Sequence, residues 1–222
     1  MVSAGRPIQV SAGERSALHH APLCDLRFRV LLGAEAWDAL PEAVRQRFAK
    51  RLTGTALALY AGEVVQTRFS RLGWCLAQAC RLIGAPLPLG PDSAVPALVS
   101  VSEDPDSGGQ NWTRIYGRKH GFPQVIRSAK RFAGPTGLEE HVGRGIGMAL
   151  RVDTFADGLT FTSDHYFWMI GAWRLRLPQW LGPGRTMVTH RDLGEGRFAF
   201  DLSVKHGLFG ELVHQHAVFR DL

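Results

Sequence analysis

From Val95 onward the chain is built of long apolar–polar alternations broken by short glycine- and aspartate-rich turns, and this pattern restricts its fold more than any other feature. Val95, Ala97, Val99 and Val101 alternate with smaller or polar residues; Ile146, Met148, Leu150 and Val152 alternate with Gly147, Ala149 and Arg151. A strand sends successive side chains to opposite faces, so a period of two buries one face and leaves the other in water. The turn-rich run 104–109 leads into a predicted hairpin over 112–117, residues 125–132 follow, and Asp157-Gly158 is a tight-turn pair opening a strand over 159–170. Further strands are predicted at 185–192, 197–205 and 208–219, with glycines at the turns between them. Strands joined this tightly pair antiparallel, and nothing between them supplies the crossover helices of a parallel sheet.

Upstream the period is helical. Residues 1–25 read as a loose tail, and residues 26–222 as one domain with a helical part at 26–90 and an antiparallel β part at 95–220. Trp37, Leu40, Val44, Phe48 and Leu52 recur at helical spacing, with Pro41 suited to a first turn and Gly54 to a stop. A short strand is predicted near 55–60 and a second helix over 68–83, ended by Gly84 and Pro86. The predicted class is therefore α+β: a large curved antiparallel β-sheet or partly closed β-barrel covered by two to three N-terminal helices, a form that often encloses a cavity.

Composition sets the class of protein. Hydrophobic residues make up 45% and charged residues 21%, and 222 residues can bury about 70% of the unfolded surface without disulfides. Three cysteines with no Cys-x-x-Cys pair point to small buried thiols in a reducing compartment, so the expected location is cytoplasmic. The first twelve residues lack a secretory layout, and the longest apolar run, 166–173, is far short of the roughly 18 residues a membrane helix needs. No membrane span is predicted. The net charge of +6 is spread along the chain without a dense basic run or a nucleic-acid motif, which argues against nucleic acid as a partner.

Several groups of residues could carry chemistry. Trp112, Arg114 and Tyr116 share a strand face and Arg127 lies on the next strand; arginine beside flat aromatics can clamp an anionic head, or simply pair its stem with the rings. In strict alternation Leu159, Phe161, Ser163, His165, Phe167 and Met169 share one face, so His165 interrupts an apolar row and must find a partner. His165, with Asp164 or Asp192 near it, is the candidate for general acid–base work. His214 and His216 lie two apart on one face and are the weak candidates for metal, with His165 or His190 as a third ligand; no fixed-spacing metal signature is present, and no cofactor is predicted. Glu139, Glu140 and His141 cannot all share one strand face and read as loop. No nucleophile elbow, phosphate loop or dinucleotide fingerprint occurs.

A wider pattern runs through these segments. Phe28-Arg29-Val30-Leu31-Leu32-Gly33, Trp37, Leu40-Pro41, Val44-Arg45, Trp112-Thr113-Arg114, Arg127-Ser128, the run Leu177-Pro178-Gln179-Trp180-Leu181-Gly182-Pro183 and Gly196-Arg197-Phe198-Ala199-Phe200-Asp201 stand in the order of the bacterial family called domain of unknown function 4166. The resemblance covers about residues 26–219, and its motifs are specific through their order rather than singly. It implies no activity. Relatives carrying the domain behind an NAD(P)-dependent, saccharopine-dehydrogenase-like or short-chain reductase domain imply a reductase as a partner. The stretch Val213-His214-Gln215-His216-Ala217 departs from the family's ending.

Two main functional expectations follow, beside a third, an accessory module that docks on an NAD(P)-dependent reductase through an exposed apolar patch. The first is a binding module that holds a small amphipathic or lipid-like molecule, with Trp112, Phe161, Phe167 and Trp173 along its apolar part and Arg114 or Arg127 at its head, and His165 beside it. The second is a hydrolase- or isomerase-type enzyme using the same cavity through His165.

Overall fold

The computed structural model describes residues 24–222. The loose tail expected at 1–25 lies outside these, apart from Cys24, which bridges to Lys50, and Asp25, whose amide donates to the Ala49 carbonyl. Three short helices, α1 (Arg27–Leu32), α2 (Ala34–Asp38) and α3 (Glu42–Phe48), precede a long strand β1 (Leu57–Phe69). Helix α4 (Arg71–Ala79) and a 3₁₀ turn (Cys80–Ile83) come next. Then the meander runs β2 (Val95–Asp104), β3 (Gly109–Tyr116), β4 (Gln124–Arg131), β5 (Glu139–Gly143), β6 (Ile146–Phe155) and β7 (Gly158–Ile170). It continues through β8 (Trp173–Arg176), β9 (Arg185–Gly194), β10 (Arg197–His206) and β11 (Gly210–Asp221).

Every pairing is antiparallel, and the sheet closes on itself. β1 pairs with both β2 and β11, β6 pairs with β7, and the first half of β7 pairs with β9. Ten strands thus form a complete ring, with β8 an outlying strand on the second half of β7. The expectation of a curved or partly closed sheet resolves into full closure, which removes the exposed edges that would otherwise invite aggregation. The helical part is also shorter than expected: β1 occupies thirteen residues of the 26–90 segment. Gly62 marks a close approach at the closing seam, where a Cβ would run into the Val218 carbonyl and Phe219 of β11.

The two ends of the ring are closed differently. At one end α1–α3 form a plug: Phe28, Trp37, Leu40, Val44 and Phe48 pack into the barrel against Leu138, Leu150, Leu159 and Phe161. Arg47, buried to 5% exposure, donates to Asp192 at the end of β9 (2.8 Å) and to Asp221 at the end of β11 (3.1 Å), and its guanidinium lies 4.4 Å over the Phe198 ring. At the other end α4 and the 3₁₀ turn lie across the opening as a lid. Ser70 caps α4 by accepting from the Gly73 amide (3.0 Å), and Gly73 lets the helix touch the Leu212 backbone of β11 directly. Gln124 braces the lid's trailing loop, donating to the Leu87 carbonyl (2.8 Å) and accepting from the Leu89 amide (3.0 Å). The cysteines are free, but Cys24 and Cys75 are exposed and Cys80 half-buried, so the expectation of buried thiols is corrected. Among the described residues, no helix is long and apolar enough to cross a membrane.

At the plugged end His190 is 1% exposed, stacked on Phe198 (4.9 Å) and edge-on to Phe48 (5.1 Å), and neither ring nitrogen has a hydrogen-bond partner among the described residues. Burial first, and the Arg47 charge second, push its imidazole down to about 3. The native state therefore holds His190 neutral while the unfolded chain takes up a proton below about pH 6.5. Stability is full above that pH and falls as the pH drops towards 3. Between pH 7 and 5 this group alone should remove about 2 kcal/mol. Denaturant melts at both pH values should show His190→Leu losing about that much less than the native chain; an equal loss in both would place the acid sensitivity elsewhere.

Candidate functional site

The ring encloses a cavity of about 350 Å³ between plug and lid. Phe48 forms part of its floor; Leu76, Cys80, Ile83 and Leu87 close it from the lid side. Leu177 and Pro183, from the connection between β8 and β9, fill the wall where β7 and β9 part. The lining is overwhelmingly apolar because alternate residues of each strand turn inward: Val99 from β2, Ile126 from β4, Phe200 and Leu202 from β10, Ala217 and Phe219 from β11. The outer wall carries Arg127, Arg151, Asp201, His214 and His216, so its polarity is the reverse of a membrane-spanning barrel's.

One charged cluster interrupts this lining. Glu140 on β5, fully enclosed, accepts from Lys130 Nζ of β4 (3.0 Å) and from the Arg114 guanidinium of β3 (3.2 Å). Burial pushes the Glu140 carboxyl up, but the Lys130 and Arg114 cations outweigh it and hold the group at about 2. Burial lowers the Lys130 ammonium and the Arg114 charge lowers it further, against the pull of Glu140. Lys130 Nζ also lies 4.8 Å from the Trp112 ring and 5.6 Å from that of Phe161. Ser128, on the wall nearby, is close enough to help lower Glu140, yet its hydroxyl is outside hydrogen-bonding geometry. Two cationic side chains thus share one carboxylate inside an apolar chamber, and Arg114, 22% exposed, keeps donors to spare.

Of the residues expected at a site, Trp112, Arg114 and Phe161 line this cavity. Arg127 does not: it lies opposite Thr113 in the ladder, on the outer face. Trp173 is 74% exposed on β8. The face assigned to His165 and Phe167 is corrected by a bulge in β7. Leu150 pairs with Ser163 but Ala149 with His165, so Asp164 is an extra residue and the alternation reverses there. Phe161 and Ser163 point inward with Leu150 and Val152; beyond the bulge Tyr166 takes the inner face, while His165 and Phe167 turn to the outer wall. There Asp164 bonds His165 Nδ1 (2.8 Å) and accepts from Arg151 (2.7 Å), and Phe167 is covered by Arg174. Asp192 is taken by Arg47, far from His165 in the plug. His216 bonds Asp201 (2.6 Å) on the outer wall, and among the described residues no group of three or more potential metal ligands forms. Glu140 and Lys130 were not expected. Their signal is a charged residue at an inward register position, which becomes visible only once β5 is known to be a strand.

The family whose pattern matches residues 40–219 is described as "Domain of unknown function (DUF4166)", and the chain belongs to it. No curated protein and no solved structure matches the chain.

Removing one partner of a buried ion cluster leaves the others uncompensated. Glu140→Gln strands two cations and should cost about 3–5 kcal/mol in denaturant unfolding. Arg114→Met leaves the Lys130–Glu140 pair whole and should cost at most about 1–2 kcal/mol. Equal losses would mean that Arg114 is as much a part of the fold as Glu140.

Proposed function

We propose that this member of the DUF4166 family binds a small amphipathic, anionic molecule inside its barrel. The observation that carries the reading is the cluster of Arg114, Lys130 and Glu140: a fixed excess of positive charge at one place in an otherwise apolar enclosure. An apolar chamber with a few convergent polar groups is the usual form of a small-molecule site. At about 30 Å³ per water-sized unit the cavity takes roughly a dozen such units, the size of a medium-length acyl chain or a small fused-ring acid. A carboxylate, sulfonate or phosphate head would accept from Arg114 and neutralise the excess charge; Trp112, Phe161 and the β10 and β11 side chains would surround the tail.

The test uses 1-anilinonaphthalene-8-sulfonate as a fluorescent probe and competes it with dodecanoate or dodecanol. Dodecanoate should displace the probe more strongly than dodecanol. Arg114→Met should weaken dodecanoate by about tenfold or more, the worth of a charged hydrogen bond, and leave dodecanol within about twofold. Native mass spectrometry of gently purified protein should find an organic-extractable mass absent from the denatured chain. If acid and alcohol compete alike and Arg114→Met alters neither, the head-group assignment fails.

A further inference from the structure

The lid end of the barrel differs from the plugged end in the aromatic side chains it exposes and in charge. Its connections carry large apolar side chains in water: Leu82 on the 3₁₀ turn, Phe122 between β3 and β4, Trp180 between β8 and β9, and Leu208 between β10 and β11 are all at least 75% exposed. The same connections hold the exposed bases Arg71, Arg81, Arg118, Lys119 and Arg144 against a single acid, Asp92. The turns at the opposite end, residues 105–108, 132–138, 156–157 and 195–196, carry Asp106, Asp157 and Glu195 and no lysine or arginine, while the plug helices carry both signs. Among the described residues the excess of positive charge is therefore gathered at one rim rather than spread evenly.

The segments that present these groups are also the ones that close the cavity. Ile83 and Leu87 face inward where Leu82 faces out, and Leu177 and Pro183 line the chamber where Trp180 stands in solvent. Aromatic side chains among arginines and a lysine, on a surface opposed to one of mixed charge, suit the boundary of an anionic bilayer, where indole and phenyl rings sit at headgroup depth and bases meet lipid phosphates.

We propose that this rim is a docking surface for anionic membranes, which sets the lid and the wall loop 177–184 against the lipid so that an amphipathic ligand passes between bilayer and cavity. The docking stands on the rim alone; its purpose rests on the cavity reading above.

The test is flotation of the full chain with vesicles of phosphatidylcholine, with or without phosphatidylglycerol. The chain should float with the mixed vesicles and stay behind with the neutral ones, and salt near 1 M, where the Debye length is about 3 Å, should release it. Arg81→Gln with Lys119→Gln should lower partitioning about tenfold or more, since each base near the surface contributes about a factor of five. Phe122→Ser with Trp180→Ser should lower it also. Arg127→Gln with Arg220→Gln removes the same charge from the outer wall and the plugged end and should change it by less than about twofold. No preference for phosphatidylglycerol, or rim and wall variants behaving alike, overturns the proposal. Dodecanoate competition in vesicle-free solution separates the two readings: rim variants should keep it, and docking that persists in a chain without dodecanoate binding removes the cavity reading while leaving the surface.

Discussion

Closure of the sheet is the constraint from which the rest of this structure follows. Once β1 pairs with β11 and β6 with β7, the ten-strand ring closes, β8 alone lies outside it, and the inner faces of ten strands surround a common space. A ring of about eight strands is just narrow enough for side chains to fill. Two more widen it beyond that, so the interior has to be filled from elsewhere or stay open. The chain does both. Phe28, Trp37 and Phe48 fill one end, α4 covers the other, and the middle remains a chamber. The helices are consequences of the ring's width, and their amphipathic faces are shaped by the hole they close.

Within the barrel two buried ionisable groups, His190 at the plugged end and Glu140 on the chamber wall, meet the same desolvation penalty in opposite ways. His190, against Arg47 and the rings of Phe48, Phe198 and Phe200, gives up its charge and sits as a neutral ring among hydrocarbons. Glu140 keeps its charge because Lys130 and Arg114 stand within hydrogen-bond reach. Fixing a carboxylate in a core needs one cation, and several kcal/mol of desolvation per ion argue against a second. A third charged group that leaves the cluster net positive therefore has no evident structural purpose, and the proposed anionic occupant rests on that excess charge rather than on the cavity alone.

The strands were legible in the sequence because alternation is a local signal: 159–170 and 185–192 stand where the period places them. Trp112 and Arg114 share the inner face for the same reason. What alternation cannot report is which face of the next strand is inner, since that depends on register across the hairpin. Arg127 shows it: opposite Thr113 it looks outward, while its neighbours Ile126 and Ser128 look in. Asp164 shows the other failure, for one unpaired residue reverses every face assignment beyond it and carries His165 and Phe167 to the outside. β5 was hidden because it is five residues long, ends at a glycine turn and carries three adjacent charged or polar residues; only its partners β4 and β6 make it a strand. Closure itself pairs residues 60 and 221, a contact with no local trace.

The unequal construction of the two ends decides where a ligand would pass. The plug buries large side chains from all three of its helices and is tied to the ring by Arg47 through two ion pairs with strand ends. The lid fully buries only Gly73 and Ala77 from α4 and none of its 3₁₀ turn; Leu76 and Leu87 pack half-buried against Val204, Leu212 and Val213, and Gln78 and Gln124 hydrogen-bond its trailing loop. Local opening begins where buried apolar contact is sparse and hydrogen bonds lie near solvent. The lid therefore opens at a lower free energy than the plug, and the cavity's low-energy route to the outside runs through the rim where the exposed aromatics and bases are gathered.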